Sequence, residues 1–487
     1  MTRRAPAGHR AATGTPTATR RTGTGPRPST AARRGAAAPG PAGVDVPVAH
    51  SPVVRWAVVA VLWLGLLVSV APWWTQTEAG SIRDAGSALT AAGRITGLVA
   101  GYVLLVQVLL TSRLPVFERW IGTERVLRWH RDAGPTLLVA VLAHASSILV
   151  GYAFQEKVSL LDEATVLLRD YEDMVSAFAA TGIVVVLGLT GIRAIRAVLP
   201  YEVWYYLHLT SYAVLLLGYG HQFLHGEQLF KPGPVRAWWI GLYLTVLAAV
   251  AWGRVLKPLL FNLRHRLRVA DVVAESTDTI SIYLTGRRLD RLDALGGHFF
   301  RWRFLAPGCW WQSHPFSLSA AGNGRWLRVT VKVVGEHTAD LRELRPGTRV
   351  WAEGPSGSFT AAHRTRGRAL LIAGGSGIAP VRALLEELPA GAAVVYRAST
   401  AQDVLLRQEM DWLAEARGVD LWYVIGSRAD AGPRHVLSAR GLTELVPDLP
   451  SRDVYVCGPP GLVSRSLWAL HQAGVPRRQV HLASFEL

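Results

Sequence analysis

The chain has 487 residues, too many for one domain, and three folded units fit that length. Half of its residues are apolar and 18 are tryptophan, yet 52 Lys and Arg against 35 Asp and Glu leave a formal charge of +17, which suits membrane spans joined to arginine-rich cytoplasmic parts. Two cysteines, Cys309 and Cys457, exclude a disulfide framework, a four-cysteine iron–sulfur site and a C-x-x-C-H haem attachment.

Residues 1–50 are Ala, Pro, Gly, Thr and Arg with almost no large apolar side chain, so they cannot form a core. The Arg-Arg pairs at 3–4, 20–21 and 33–34 raise nucleic-acid binding and export as readings. A secretory signal needs an apolar stretch soon after its charges and a cleavage site, and neither follows. We expect a disordered basic cytoplasmic tail that touches anionic lipid, with no nucleic-acid partner.

Apolar runs then lie at roughly 53–72, 87–110, 126–153, 174–192, 203–224 and 235–256, each near the ~20 residues that a bilayer requires. They predict a six-span bundle over 51–258. Arg113, Arg119, Arg125, Arg128 and Arg131 lie in one loop, and Arg193 and Arg196 in another. The loop at 154–173 carries Glu156, Asp162, Glu163, Asp170, Glu172 and Asp173 instead. Basic loops stay on the cytoplasmic side, so a multi-pass protein of the cell membrane with both termini in the cytoplasm is expected. Arg94 lies within the second span. An arginine there needs a partner, either the carboxylate of a bound group or the outer headgroups.

Four histidines fall inside these runs in two pairs, His130 with His144 and His208 with His221. Ionisable groups in a span default to function. Fourteen residues put His130 and His144 roughly 21 Å apart on one helix, their rings projecting to nearly the same side. Two such helices could clamp two b-type haems, His130 with His208 toward the inner face and His144 with His221 toward the outer. Thirteen residues at about 100° each leave His208 and His221 out of line, so a π-bulge or kink is needed, and Gly218 and Gly220 suggest where. His225 is a rival ligand nearer the aqueous end. Satisfied core histidines are the bland alternative for any one of these residues, and the paired pattern argues against it.

From about 265 the pattern changes to short alternating strands such as Thr279–Leu284 and Trp326–Val334, which predict a small antiparallel β-barrel over 264–364. Over 366–487 strands alternate with helices, predicting an α/β doubly wound domain. Its first strand runs into Gly374, Gly375, Gly377 and Pro380, a turn whose amides could approach a pyrophosphate at a helix N-terminus. A later strand ends in Cys457, Gly458 and Pro459 at the carboxyl edge of the same sheet, where such folds bind ligands.

His314, Pro315, Phe316 and Ser317, the glycine turn and Cys457-Gly-Pro together resemble the ferredoxin–NADP reductase module. Placed behind six spans with paired histidines, they resemble the ferric reductase and NADPH oxidase superfamily over about residues 53–487. The resemblance implies that Phe316 lies against a flavin ring, Ser317 bonds near its reactive nitrogen and His314 contacts the flavin phosphate or ribityl region. It further implies that Lys332 and Val333 line the flavin tail, and that Gly335 and Thr338 hold the FAD pyrophosphate. Gly374, Gly375, Gly377 and Pro380 would form the nicotinamide-nucleotide phosphate turn, Cys457 would sit beside the nicotinamide, and Phe485 would be the C-terminal aromatic over the flavin. Ser427 and Arg428 match the pair that grips a 2′-phosphate, with Arg397 near, which favours NADPH over NADH.

The expected function is a transmembrane relay from cytoplasmic NADPH through FAD and two haems b to a small-molecule acceptor outside. Hydride arrives as two electrons and haem takes one, so flavin stands between them. Oxygen, giving superoxide, is the first expectation for the acceptor and a ferric chelate the second. No obligatory protein partner is inferred. A reading of another class is a haem-free ion or proton conductor with a flavin sensor domain, its histidines acting as relays.

Overall fold

The computed structural model describes residues 19–20, 52–78, 80–114, 116–117, 121–334, 336–427 and 429–483. The chain divides into two compact units. One is 50–257 and the other combines 258–487 with the first 49 residues.

The first unit is helical. Helix α1 (Pro52–Gln76), α2 (Ala85–Leu110), α3 (Thr123–Glu156), α4 (Leu160–Asp170), α5 (Met174–Thr190), α6 (Tyr201–Leu209), α7 (Ser211–His225) and α8 (Pro234–Val250) carry nearly all of it. After α8 the helical path continues through a π-helical stretch, Ala251–Leu256, into Lys257–His265. Among the described residues four helices are long and apolar enough to cross a membrane: Val53–Gln76, Ala85–Leu110, Arg125–Glu156 and Pro234–His265. The other two expected spans differ from expectation. Helix α5 has 17 residues, short of the usual membrane-spanning length. The run at 203–224 divides into α6 and α7 at Thr210, whose amide and hydroxyl both donate to the Leu207 carbonyl three residues back, at 3.0 and 2.7 Å. The kink therefore sits just after His208. Gly218 and Gly220 lie inside the unbroken α7.

Helices α2 and α3 form a close antiparallel hairpin because glycine faces it. A Cβ on Gly93 would meet Ile148 at 2.7 Å, and one on Gly97 would meet the His144 ring at 2.7 Å. Small residues let two helix backbones approach where no apolar driving force separates lipid from protein. On α1, Trp56, Val61, Trp63, Leu64 and Leu67 are all more than 60% exposed, an apolar surface suited to lipid contact.

The second unit begins with two three-stranded antiparallel sheets. One has the order β1 (Arg268–Ser276), β2 (Thr279–Thr285), β5 (Leu327–Lys332). The other has β4 (His314–Ser317) beside β3 (Phe299–Phe304) and then β6 (Val350–Ser356). Alternating side chains from both, among them Val269, Ile282, Phe300, Trp302, Val329 and Ala352, fill one core. Isolated bridges, Arg268 to Arg349 and Leu318 to Val329, join the two sheets.

A parallel sheet follows in the order β9 (Asp420–Ile425), β8 (Ala393–Ala398), β7 (Ala369–Gly374), β10 (Asp453–Cys457), β11 (Val480–Ala483). Helices α9 (Ile378–Leu385), α10 (Arg407–Arg417) and α11 (Pro460–Gln472) are among those that connect its strands. Strand β7 is buried along its whole length, as expected of a central parallel strand covered on both faces. Of the expected tail, Thr19–Arg20 pairs antiparallel with Tyr423 and Trp422 at the β9 edge. The rest of the tail lies outside the described residues.

Candidate functional site

In the helical unit the four histidines meet in two facing pairs. The rings of His130 and His208 are 5.9 Å apart between centres, and those of His144 and His221 are 6.1 Å apart. On α3, His130 Nδ1 donates to the Gln107 carbonyl at 3.2 Å, and His144 Nδ1 donates to the Gly93 carbonyl at 2.8 Å. Gln107 and Gly93 are themselves fourteen residues apart on α2, so one helical period positions both rings and both carbonyls. With Nδ1–H committed, Nε2 keeps its lone pair, which is how ligating histidines are oriented by a second layer of hydrogen bonds.

The spacing fits a metal between each pair. A metal–nitrogen bond of about 2 Å plus roughly 1.1 Å to the ring centre, taken on both sides, gives about 6 Å. Among the described residues no three His, Cys, Asp or Glu side chains converge, so each pair offers two nitrogen ligands to a metal held between them. The buried Nδ1 of His221 has no protein partner. His225 Nε2, by contrast, donates to the Glu172 carbonyl at 2.6 Å. His208 stacks on Trp204 at 5.0 Å. Arg94 pairs with Glu227, a partner that sequence reasoning did not name.

In the second unit the glycine turn and the cysteine turn pack on each other. Gly375 takes φ +55°, a left-handed conformation that favours glycine, and a Cβ on Gly377 would meet the Cys457 carbonyl at 2.4 Å. Pro380 lies in the first turn of α9, which the glycine turn opens. The Cys457 thiol is fully buried, and burial pushes its pKa well up, so it presents a neutral sulfur at the strand end. A cleft of about 390 Å³, within the range of small-molecule sites, brings together Lys332, Gly374, Gly375, Arg397 and Pro459. It also draws in Arg434 and Arg465, which sequence reasoning missed. Arg465 stands on α11 five residues after Pro460, so its place on the helix that follows the cysteine turn was the available signal.

Other expected residues are placed as follows. His314 and Phe316 stack, 5.4 Å apart and nearly parallel, on one face of β4, with the His314 Nε2 bonded to Gln312 at 3.0 Å. Pleating puts Pro315 and Ser317 on the opposite face, and Ser317 is buried. Phe316 and Ser317 are therefore presented on opposite faces of β4. Lys332 pairs with Asp278 at 3.1 Å, Val333 packs against the sheet core, and Thr338 accepts the Val334 amide at 2.8 Å. Arg397 donates to the carbonyls of Ala398, Val424 and Gly426, which binds its guanidinium to the strand ends. The Ser427 hydroxyl accepts the Ala429 amide at 3.2 Å. Gly458 and Pro459 form the turn after β10. Gly335, Arg428 and Phe485 lie outside the described residues.

Residues 96–219 match the family described as ferric reductase like transmembrane component, and residues 371–466 match the oxidoreductase NAD-binding domain. The chain is 28% identical over 231 residues to an NADPH oxidoreductase of Mycobacterium tuberculosis, a match covering 45% of this chain and 60% of that protein. It is 33% identical over 192 residues to ferredoxin–NADP reductase B of Sorangium cellulosum, covering 35% of this chain and 77% of that protein. Among solved structures, the flavohem-like FAD/NAD binding domain of a Vibrio cholerae nitric oxide dioxygenase is 23% identical, with a TM-score of 0.38, over 46% of this chain and 99% of that one. The chain therefore belongs with the ferredoxin–NADP reductases through its FAD/NAD(P)H oxidoreductase module, and it joins that module to a ferric-reductase-like transmembrane component, the combination that matches the resemblance carried by its motifs.

Proposed function

We propose that the protein carries electrons from cytoplasmic NADPH across the cell membrane to an acceptor outside, by way of FAD and two haems b. The observation that carries this reading is the pair of facing histidine couples, each about 6 Å across, with α2 carbonyls orienting His130 and His144. In this reading α5 and the kinked α6–α7 complete six spans, both termini are cytoplasmic, and the isolated bridges close the two small sheets into a barrel. When bound, the flavin supplies the step between two-electron hydride and one-electron haem chemistry. The protein's part is to hold, orient and exclude water.

His130 and His208 would hold the inner haem, and His144 and His221 the outer. With two histidines committed to each iron, no position on the metal would be left for the acceptor, which would be reduced without binding it. Lys332 and the cleft arginines would neutralise nucleotide phosphates, and arginine near a 2′-phosphate favours NADPH over NADH. Oxygen, giving superoxide, is our first reading of the acceptor. A ferric chelate is the second, supported by the acidic residues near His221 and His225, where Asp173 abuts Gly220 and Glu172 accepts from His225.

The test is turnover of purified protein with NADPH and FAD, reading dye reduction with and without superoxide dismutase. Dismutase-sensitive reduction is expected. Insensitivity together with turnover on ferric chelates would reverse the order of acceptors. Equal efficiency with NADH would remove the 2′-phosphate assignment.

A further inference from the structure

Between the small sheets and the parallel sheet lies a cluster of four charged side chains, none of which lines the cleft. Arg328 on β5 and Arg382 on α9 have fully buried side chains, and those of Glu409 on α10 and Glu386 just past α9 are 8% exposed. Arg328 grips Glu409 with two nitrogens, at 2.7 and 2.9 Å, and Arg382 Nε reaches the same carboxylate at 2.8 Å. Arg382 also pairs with Glu386 at 2.9 Å. Two positive and two negative groups leave no net charge.

The cluster closes on one short piece of backbone. The Ser319 carbonyl accepts from Arg328 at 2.8 Å and from Arg382 at 3.2 Å. Glu386 accepts the Ala321 amide at 2.7 Å, and the Ser319 hydroxyl accepts from Arg328 and from Thr330. Ser319 is two residues beyond Ser317, the end of the strand expected to face the flavin. At the other side, α9 is the helix opened by the glycine turn. Eight residues of helix, about 12 Å, therefore run from the nucleotide turn to the grip on the flavin strand. A buried ion cluster is weak evidence of stability, since apolar residues of equal volume often serve as well. Apolar packing would not, however, hold a particular carbonyl and a particular amide.

We propose that Arg328, Arg382, Glu386 and Glu409 are positioning residues that set the flavin-facing strand in register with the nucleotide-binding turn. Their task is to fix the approach of nicotinamide to flavin. The inference rests on the reading of this cleft as the FAD and NAD(P)H site.

The experiment uses the full-length, FAD-loaded protein and its Glu409→Gln and Glu386→Gln variants. Hydrogen exchange without nucleotide reads the Ala321 amide and the 374–380 turn. Anaerobic stopped-flow reduction with NADPH, and with NADPH deuterated at the transferred position, reads the approach. Both variants should speed exchange in both segments and lower the limiting rate of flavin reduction by about tenfold, a fraction of the on the order of 100-fold that a 1 Å misplacement produces. The isotope effect should rise, while half-saturation by NADPH moves by less than about threefold, because the phosphate contacts are intact. Glu386→Gln loses the ion pair with Arg382 that holds its side chain under Ala321 but leaves the Glu409 pairs in place, so it carries the test alone if Glu409→Gln does not fold. Wild-type exchange and a wild-type isotope effect in the folded variants would overturn the proposal while leaving the cofactor reading in place. A wild-type flavin that NADPH does not reduce would overturn both.

Discussion

Gly97→Ala perturbs the outer histidine pair without touching a ligand. The added methyl would stand 2.7 Å from His144 Nδ1 and 2.9 Å from Cε1, closer than side-chain carbons come to other atoms. Helix α2 is packed just as closely on α3 at Gly93, one turn away against Ile148, so separating the helices would open that contact too. The ring must therefore turn away from the Gly93 carbonyl, losing a hydrogen bond worth about 1 kcal/mol, while overpacking adds roughly 1–3 kcal/mol. Loss of a ligand's orienting partner typically weakens metal affinity by about 10–100-fold, or about 1.4–2.8 kcal/mol, which overlaps the lower part of that sum of about 2–4 kcal/mol. Haem content per chain, measured in the purified protein, should fall from two toward one, with the remaining haem unaltered in its spectrum. Gly134→Ala is the control. Its nearest neighbour is Gln107 Nε2 at 3.7 Å, an ordinary contact, so both haems should stay. A Gly97→Ala protein that keeps two haems at wild-type affinity would refute the reasoning.

His221→Ala should cost one haem and His225→Ala none, since His225 is already committed to the Glu172 carbonyl, and pyridine haemochrome counts decide between them. Arg434→Ala in the cleft should raise the NADPH KM by about 10-fold or more, as a lost charge-assisted phosphate bond does; steady-state kinetics check it. Burial pushes the Glu387 carboxyl up to about 7, against a hydrogen bond from the Gly296 amide that lowers it. Its contribution to stability is complete below about pH 4.5, where it is neutral folded and unfolded, and is lost as pH rises through about 7. Glu387→Gln keeps an acceptor for Gly296 and should remove that loss, raising the melting temperature at pH 8 more than at pH 5.

Much of this site could be read from the sequence because it depends on short-range periodicity. Fourteen residues between His130 and His144 need only a regular α3, and the His314–Ser317 strand and the Gly374–Gly377 turn are local patterns. The kink was misplaced because glycine marks tolerance, whereas the actual break comes from Thr210 bonding back to Leu207, a choice that the local pattern does not announce. Four of the six apolar runs form uninterrupted helices of spanning length among the described residues. Apolarity persists through 174–192 and 203–224, but α5 stops at 17 residues and the second run divides. Arg94 with Glu227, and Arg328 with Glu409, join residues more than eighty positions apart, and no window along the chain contains both partners. The opposed faces of Phe316 and Ser317 follow from pleating alone and were legible once the strand was assigned.

The central claim is that these histidine pairs hold two haems reduced by NADPH through the flavin. The most direct measurement is the optical difference spectrum of the detergent-purified, FAD-loaded protein, oxidised against NADPH-reduced, with oxygen excluded. Haem bands that reduce at about two per chain, one per histidine pair, are the expected result. Flavin bleaching in a protein with no haem bands would contradict the relay and give the histidines another role, such as proton transfer in a conductor with a flavin sensor.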